Sequence, residues 1–314
     1  MQQNILTVQN TFDVCLPDTK ILVGAECKIV DYDLFATTES YDVLKGLWMG
    51  SRSVGLKIWS EIQSGEFDQY EGHCMRQVKI WCTLYHQHIS PFYGLCRAYG
   101  PYSCLVLPWK GEGQAIQYLS EKPASSLIKV CLEAAYGLQY LHSLARPIVL
   151  GGLRRSGILI SDEGKALLAD FEISDFEGSS YDSYAARRGK WDRWLAPELA
   201  EEGPDGTPSR LTKACDIWSW AMMVLEVLSE KSPFFASESG TTEEQESLRQ
   251  RIRDGERPTR DEYTHPALED SLWLLLESCW QTEPKDRPDI DAVVATMKTI
   301  STSYQEPPPP LLPS

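Results

Sequence analysis

Nowhere in the 314 residues do roughly eighteen uncharged apolar residues run together, the least that a bilayer-crossing helix needs, so no membrane span is expected. Residues 1–15, MQQNILTVQNTFDVC, hold no basic segment followed by an apolar stretch, so no secretory leader is expected either. Basic residues are scarce: 30 Lys and Arg stand against 45 Asp and Glu, a formal charge of −15. Nucleic acid and anionic membrane are bound by clustered Lys and Arg, so both are excluded as expected partners, and a positively charged protein surface fits better. The nine cysteines show no CxxC or other ligand-like spacing and sit mostly in apolar runs, where a thiol behaves as a small hydrophobe. Their odd number suits a reducing compartment without disulfides, and the expectation is a cytoplasmic protein.

What is present is enough apolar material, 42% of the chain, to bury a sizeable core. From about Tyr41 to Trp109 the pattern is strand-like, with YDVLKGLWMG and SVGLKIW joined by a short turn, then one amphipathic helix, then SCLVLPW. Beyond Gly111 the period becomes helical: Leu127, Cys131, Ala134, Leu138 and Leu141 fall on one stripe. Residues 217–228, IWSWAMMVLEVL, are apolar almost all round and predict a helix buried at the centre of a large domain. The stretch DEYTHPALEDSLWLLLESCW predicts another amphipathic helix, and Asp289 caps a last one, IDAVVATMKTI. The end, EPPPPLLPS, reads as a polyproline, disordered tail.

Read in order, VGLKIW, HQHISPFYG, LVLPW, ALLADFE, RWLAPE, DIWSWA and CWQTEPKDRP resemble the landmarks of a protein kinase of the tyrosine-kinase-like group. The resemblance implies an α+β, bilobal kinase-like fold, with a small β-rich N-lobe carrying one helix and a larger, mostly helical C-lobe. The implied organisation is an N-terminal extension over 1–30, N-lobe over 31–110, C-lobe over 111–301 and a Pro-rich tail over 302–314. It also implies ATP and Mg as ligands. Lys57 matches the strand lysine that holds the nucleotide's phosphates, and Asp170 matches the aspartate that binds the metal. Leu107 and Lys110 complete the implied nucleotide-binding set.

Against this pattern the polar chemistry is largely missing. In the segment IVLGGLRRSGILI, Leu150 replaces the motif histidine, Gly151 the arginine, Gly152 the catalytic aspartate and Gly157 the second metal-binding asparagine. Glycine offers no side chain to accept a proton or hold a metal, and general-base help alone is worth about 10²–10⁴ in rate. Asp162 and Glu163 are near in sequence but belong to the turn after ILI. The glycine-rich loop falls on Ala36, Thr38 and Tyr41, the helix glutamate that should pair with Lys57 is Gln77, and Glu172 follows Asp170-Phe171 in place of glycine. A neutral Lys57–Gln77 hydrogen bond is the most that helix can offer. Asp170 is then either held in one orientation for a metal or bonded directly to Lys57.

The structural half of the pattern is kept: Ala196-Pro197-Glu198 with Arg287 as its ion-pair partner, Asp216 under the catalytic-type loop, and an apolar column through Trp81, Phe171 and Leu150. An activation-segment-like stretch carries Ser179, Ser180, Tyr181, Ser183 and Tyr184, with Arg187 and Arg188 beside them. Packing retained while polar chemistry is dropped is what a binding scaffold tolerates. The expectation is a pseudokinase that binds a protein partner, such as an active kinase, with ATP as an optional weak ligand. The alternative is an active Ser/Thr or Tyr kinase with an altered mechanism, which the survival of both Lys57 and Asp170 supports.

Overall fold

The computed structural model describes residues 21–22, 27–37, 41–59, 67–99, 102–109, 119, 122–181, 193–199, 207–235 and 242–304. Its first part is a six-stranded sheet, β1 (Ile21–Leu22), β2 (Cys27–Thr37), β3 (Tyr41–Trp48), β4 (Arg52–Trp59), β5 (Gly94–Tyr99) and β6 (Tyr102–Pro108), ordered β1-β5-β6-β4-β3-β2. Helix α1 (Phe67–Trp81) packs on it through Tyr70, Cys74 and Val78, with Asp68 in its first turn and Lys79 in its last complementing the helix dipole. Strand β1 pairs in parallel with β5, Ile21 opposite Leu95, so residues ahead of position 30 belong to this sheet. Strands β2 and β3 stay paired as far as Thr37 opposite Asp42, with Ala36 opposite Val43. Of the glycine-loop positions, Ala36 is therefore a ladder residue and Tyr41 opens β3, while Thr38 lies outside the described residues.

The second part is helical. Helices α2 (Ala124–Ser143), α3 (Lys213–Ser229), α4 (Thr242–Arg253), α5 (Asp270–Cys279) and α6 (Ile290–Ser303) surround one core, with two short antiparallel pairs, β7 (Ile148–Val149) with β10 (Asp175–Phe176) and β8 (Ile158–Ile160) with β9 (Ala166–Leu168). This is the bilobal α+β fold expected. Helix α3 is the centre: every residue from Cys215 to Leu228 is buried, as its apolar circumference requires. The stripe from Leu127 to Leu141 faces that core along α2, and Trp220 Nε1 donates to the Cys131 carbonyl across the contact at 3.1 Å. Asp289 caps α6, its Oδ1 accepting from Ala292 N at 2.9 Å.

Two expectations need revision. The helix expected from residue 261 begins only at Asp270, because His265-Pro266 favours extended backbone and the preceding residues close turns instead. Helix α4 is absent from the sequence reading: TEEQESLRQRIR is polar almost all round, and only Leu248 and Ile252 are buried along it.

The fastenings expected within the larger lobe are in place. Arg287 meets Glu198 side-on, Nη1 to Oε1 at 2.7 Å and Nη2 to Oε2 at 2.8 Å, and also donates to the Ala214 carbonyl at 2.9 Å. Asp216, fully buried, accepts from Leu150 N at 3.1 Å, Gly151 N at 2.8 Å and His142 Nε2 at 2.8 Å. Trp81 and Phe171 meet with their rings tilted by 35° and centroids 4.6 Å apart, and Leu150 is buried in the same core, so the apolar column forms.

Candidate functional site

Five side chains from both lobes meet in the cleft. Strand β4 carries Lys57 inward because its residues Val54 to Trp59 are apolar and buried, and the lysine enters the interior with them. Its Nζ donates to Asp170 Oδ1 at 3.0 Å and lies 3.6 Å from the centre of the Tyr41 ring, at the start of the neighbouring strand. From below, Arg154 Nη2 reaches Asp170 Oδ2 at 3.5 Å and Glu172 Oε2 at 3.8 Å. Lys57, Arg154, Asp170 and Glu172 are all between 1% and 4% exposed.

The cluster holds two cations and two anions and is neutral as a whole. Burial pulls the Lys57 ammonium down, but Asp170, then Tyr41 and Glu172, more than offset this and raise it. Burial alone would push Asp170 up, yet Lys57 and then Arg154 hold its carboxyl below the usual carboxylate range. A carboxylate depressed in the folded state adds stability that is full above its unfolded value of about 3.9 and is lost as pH falls through the folded value. A lysine raised in the folded state adds stability that is full below its unfolded value of about 10.4 and is lost at higher pH. Urea midpoints measured from pH 7 downward should therefore fall more steeply below about pH 4 in the native protein than in Lys57→Met/Asp170→Asn, where the pair is neutral. Equal slopes would contradict the pairing.

The catalytic-type loop, residues 150–157, is shaped by its glycines. Gly151 has φ of +76°, and a Cβ there would sit 2.9 Å from the Leu211 side chain. Gly157 packs so closely that its Cβ would lie 2.9 Å from Asp170 Cβ, while Ala169 N donates to the Gly157 carbonyl at 2.9 Å. Gly152 is buried between them. Asp162 and Glu163 are exposed in the β8–β9 turn, away from the cleft.

The sequence reading missed Arg154. Its signal was an arginine set between Leu153 and the buried ILI strand, where a solvated basic residue is out of place. The Lys57–Gln77 bond does not form: Gln77 is buried on α1, and its Oε1 has no hydrogen-bond partner among the described residues, because Lys57 turns to Asp170. Asp170 Oδ1 accepts directly from Lys57. Leu107 is buried in β6 opposite Gly55, whereas Lys110, Ser183, Tyr184, Arg187, Arg188 and the Pro-rich tail lie outside the described residues. The start of the activation-segment-like stretch is tied down, with Gly178 N donating to Leu211 O and Tyr181 N to Ser209 O, each at 2.8 Å.

Comparison with known proteins decides the family, since the family model for protein tyrosine and serine/threonine kinase matches residues 35–297. The chain belongs to this protein kinase family. Similar proteins include mitogen-activated protein kinase kinase kinase 7 of Drosophila melanogaster, 29% identical over 73% of this chain and 32% of its own length. Serine/threonine/tyrosine-protein kinase HT1 of Arabidopsis thaliana is 26% identical over 73% of this chain and 55% of its own. Receptor-interacting serine/threonine-protein kinase 3 of Rattus norvegicus is 31% identical over 68% of this chain and 45% of its own. The chain thus spans a third to about half of these relatives. Among the described residues no helix is long and apolar enough to cross a membrane.

Protein kinases generally bind ATP with Mg, the lysine on the phosphates and the aspartate and asparagine on metal. The residues present here do not fit that pair of ligands. Both Asp170 oxygens face protein cations, Lys57 faces a carboxylate and a ring, and the asparagine position is a glycine pressed against Asp170.

Proposed function

We propose that this protein-kinase domain is a non-catalytic, protein-binding module, a pseudokinase whose cleft is filled by its own side chains. The observation that carries this reading is the buried Lys57–Asp170–Arg154–Glu172 cluster, in which the groups of the phosphate and metal sites bond to one another. The absence of an acid at Gly152 and the solvent-facing positions of Asp162 and Glu163 support it, since a general base must lie within hydrogen-bond reach of the hydroxyl it activates. The intact Glu198–Arg287 pair and the Asp216 bonds support a preserved C-lobe surface for a protein partner, an active kinase among them. A net charge of −15 favours a partner with a basic face.

The test is phosphoryl transfer from labelled ATP, with Mg or Mn, to the protein itself and to generic protein substrates. No transfer above background is expected. Reproducible transfer that is lost in a folded Asp170→Asn variant would overturn the reading and favour the second one, a kinase with an altered mechanism. That second reading draws on a single observation, that the fold keeps Lys57 and Asp170 together at 3.0 Å. A melting-temperature rise with ATP and Mg would favour it further, because a ligand that binds only the folded state stabilises by mass action.

A further inference from the structure

We propose that helix α1 is latched to the sheet at Ser103 by Tyr70 and Glu71, a contact that stands in for the missing bond to the strand lysine and keeps the helix in one position whatever the cleft contains. This goes beyond the non-catalytic reading and does not depend on it. The latch originates in a break in the sheet. The β5–β6 register passes from Cys96 opposite Cys104 to Tyr99 opposite Tyr102, so Arg97 and Ala98 face the single residue Ser103. Pairing of β6 with β4 runs only from Pro108 to Leu105. Ser103, fully buried, therefore has no place in either ladder, and its backbone groups need partners from elsewhere. Helix α1 supplies them. Ser103 N donates to Glu71 Oε1 at 3.1 Å and Ser103 Oγ to Glu71 Oε2 at 2.9 Å, while the Tyr70 hydroxyl donates to the Ser103 carbonyl. The two bonds to the carboxylate belong to the stronger, charge-assisted kind.

Leverage gives this contact its weight. The other end of α1 is tied by Trp81, whose Nε1 donates to the Ser90 carbonyl at 2.7 Å. Gln77, the position from which the family pattern reaches the strand lysine, lies about 6 Å along the helix axis from Trp81, and Tyr70 lies about 17 Å from it. A restraint far from the tied end limits the swing of a helix more than one beside it. The Gln77 Oε1 adds no restraint, being buried without a partner among the described residues, an arrangement that costs about 1–3 kcal/mol. Lys57 bonds to Asp170 and not to α1, so a change in the cleft is not passed to the helix through that lysine. Packing of Tyr70, Cys74 and Val78 presses α1 on the sheet without direction, and the bonds at Ser103 fix where along the sheet it sits.

Hydrogen exchange of the full chain tests this, with the amides of residues 72–79 in α1 read against those of residues 54–58 in β4. Tyr70→Phe/Glu71→Ala should speed α1 exchange at least about tenfold relative to β4, because the bonds at Ser103 are lost while alanine itself favours helix. Tyr70→Phe alone keeps the buried ring and loses one bond, and should speed it about fivefold. This single variant carries the test if the double one does not fold. Lys57→Met/Asp170→Asn, which removes the ion pair of the cleft, should leave the ratio within about twofold of native, since α1 opens locally and by its own contacts. Unchanged α1 exchange in Tyr70→Phe overturns the proposal, as does a cleft variant that loosens α1 as much as the latch variants do. Phosphoryl transfer by the native protein would remove the proposed function and leave these ratios unchanged, whereas α1 loosening in the cleft variant without transfer would do the reverse.

Discussion

Lys57→Met is expected to lower the stability of the domain by about 3–5 kcal/mol, the usual cost of removing one partner of a buried ion pair. A lysine that served only a bound nucleotide would line an open cleft, and its replacement would spare the fold while weakening binding. Here the ammonium lies 3.0 Å from Asp170 and 3.6 Å from the Tyr41 ring, with the side chain buried. Its loss leaves Arg154 to balance two carboxylates alone, one negative charge in excess. Domains are stable by only about 5–15 kcal/mol in total, so the change takes a large fraction of the margin. Urea unfolding followed by tryptophan fluorescence measures it directly. Lys57→Met/Asp170→Asn removes one charge of each sign and leaves Arg154 with Glu172, so the double variant should be less damaging than the sum of the single ones. A loss under about 1 kcal/mol for Lys57→Met would mean that the pair contributes no more than a surface salt bridge.

Asp216→Ala should cost a comparable amount, about 4 kcal/mol, by a different route. The carboxylate accepts three hydrogen bonds in a fully buried place, two of them from the backbone of Leu150 and Gly151. Each donor left without a partner costs about 1–3 kcal/mol. Since Gly151 is buried against Leu211 and Ile173, its N–H has no water to turn to. Hydrogen exchange should localise the damage: amides of residues 148–157 should lose protection before those of α3. Uniform loss of protection across the C-lobe would show instead that Asp216 fastens the whole core and not the loop. Because Arg154 sits on this loop, the cleft cluster should loosen with it.

Much of this was readable from the chain. Ordered landmarks gave the two lobes, and the apolar circumference of residues 217–228 gave the central helix, because burial on all sides leaves a compositional mark. The losses at Gly152, Gly157 and Gln77 were readable as changes of residue type. What packs into the cleft beside them was not. Arg154 looks like any basic loop residue until the fold turns it inward against Asp170, and the two-residue β1 carries too little pattern to announce a strand. Helix α4 escaped for the opposite reason: its buried face is only two residues wide. A Lys57–Gln77 hydrogen bond was the most that the substitution at position 77 allowed. In the structure Lys57 bonds to the carboxylate of Asp170 and not to the neutral Gln77.

The tight packing of the two loop glycines closes both positions to larger side chains. At position 157 an asparagine would first have to displace the backbone segment bearing Asp170, and at position 151 an arginine would have to leave the left-handed region and clear Leu211. A larger side chain placed at either position therefore meets a steric barrier before it can serve any chemistry, and the close neighbours hold the loop in its present course.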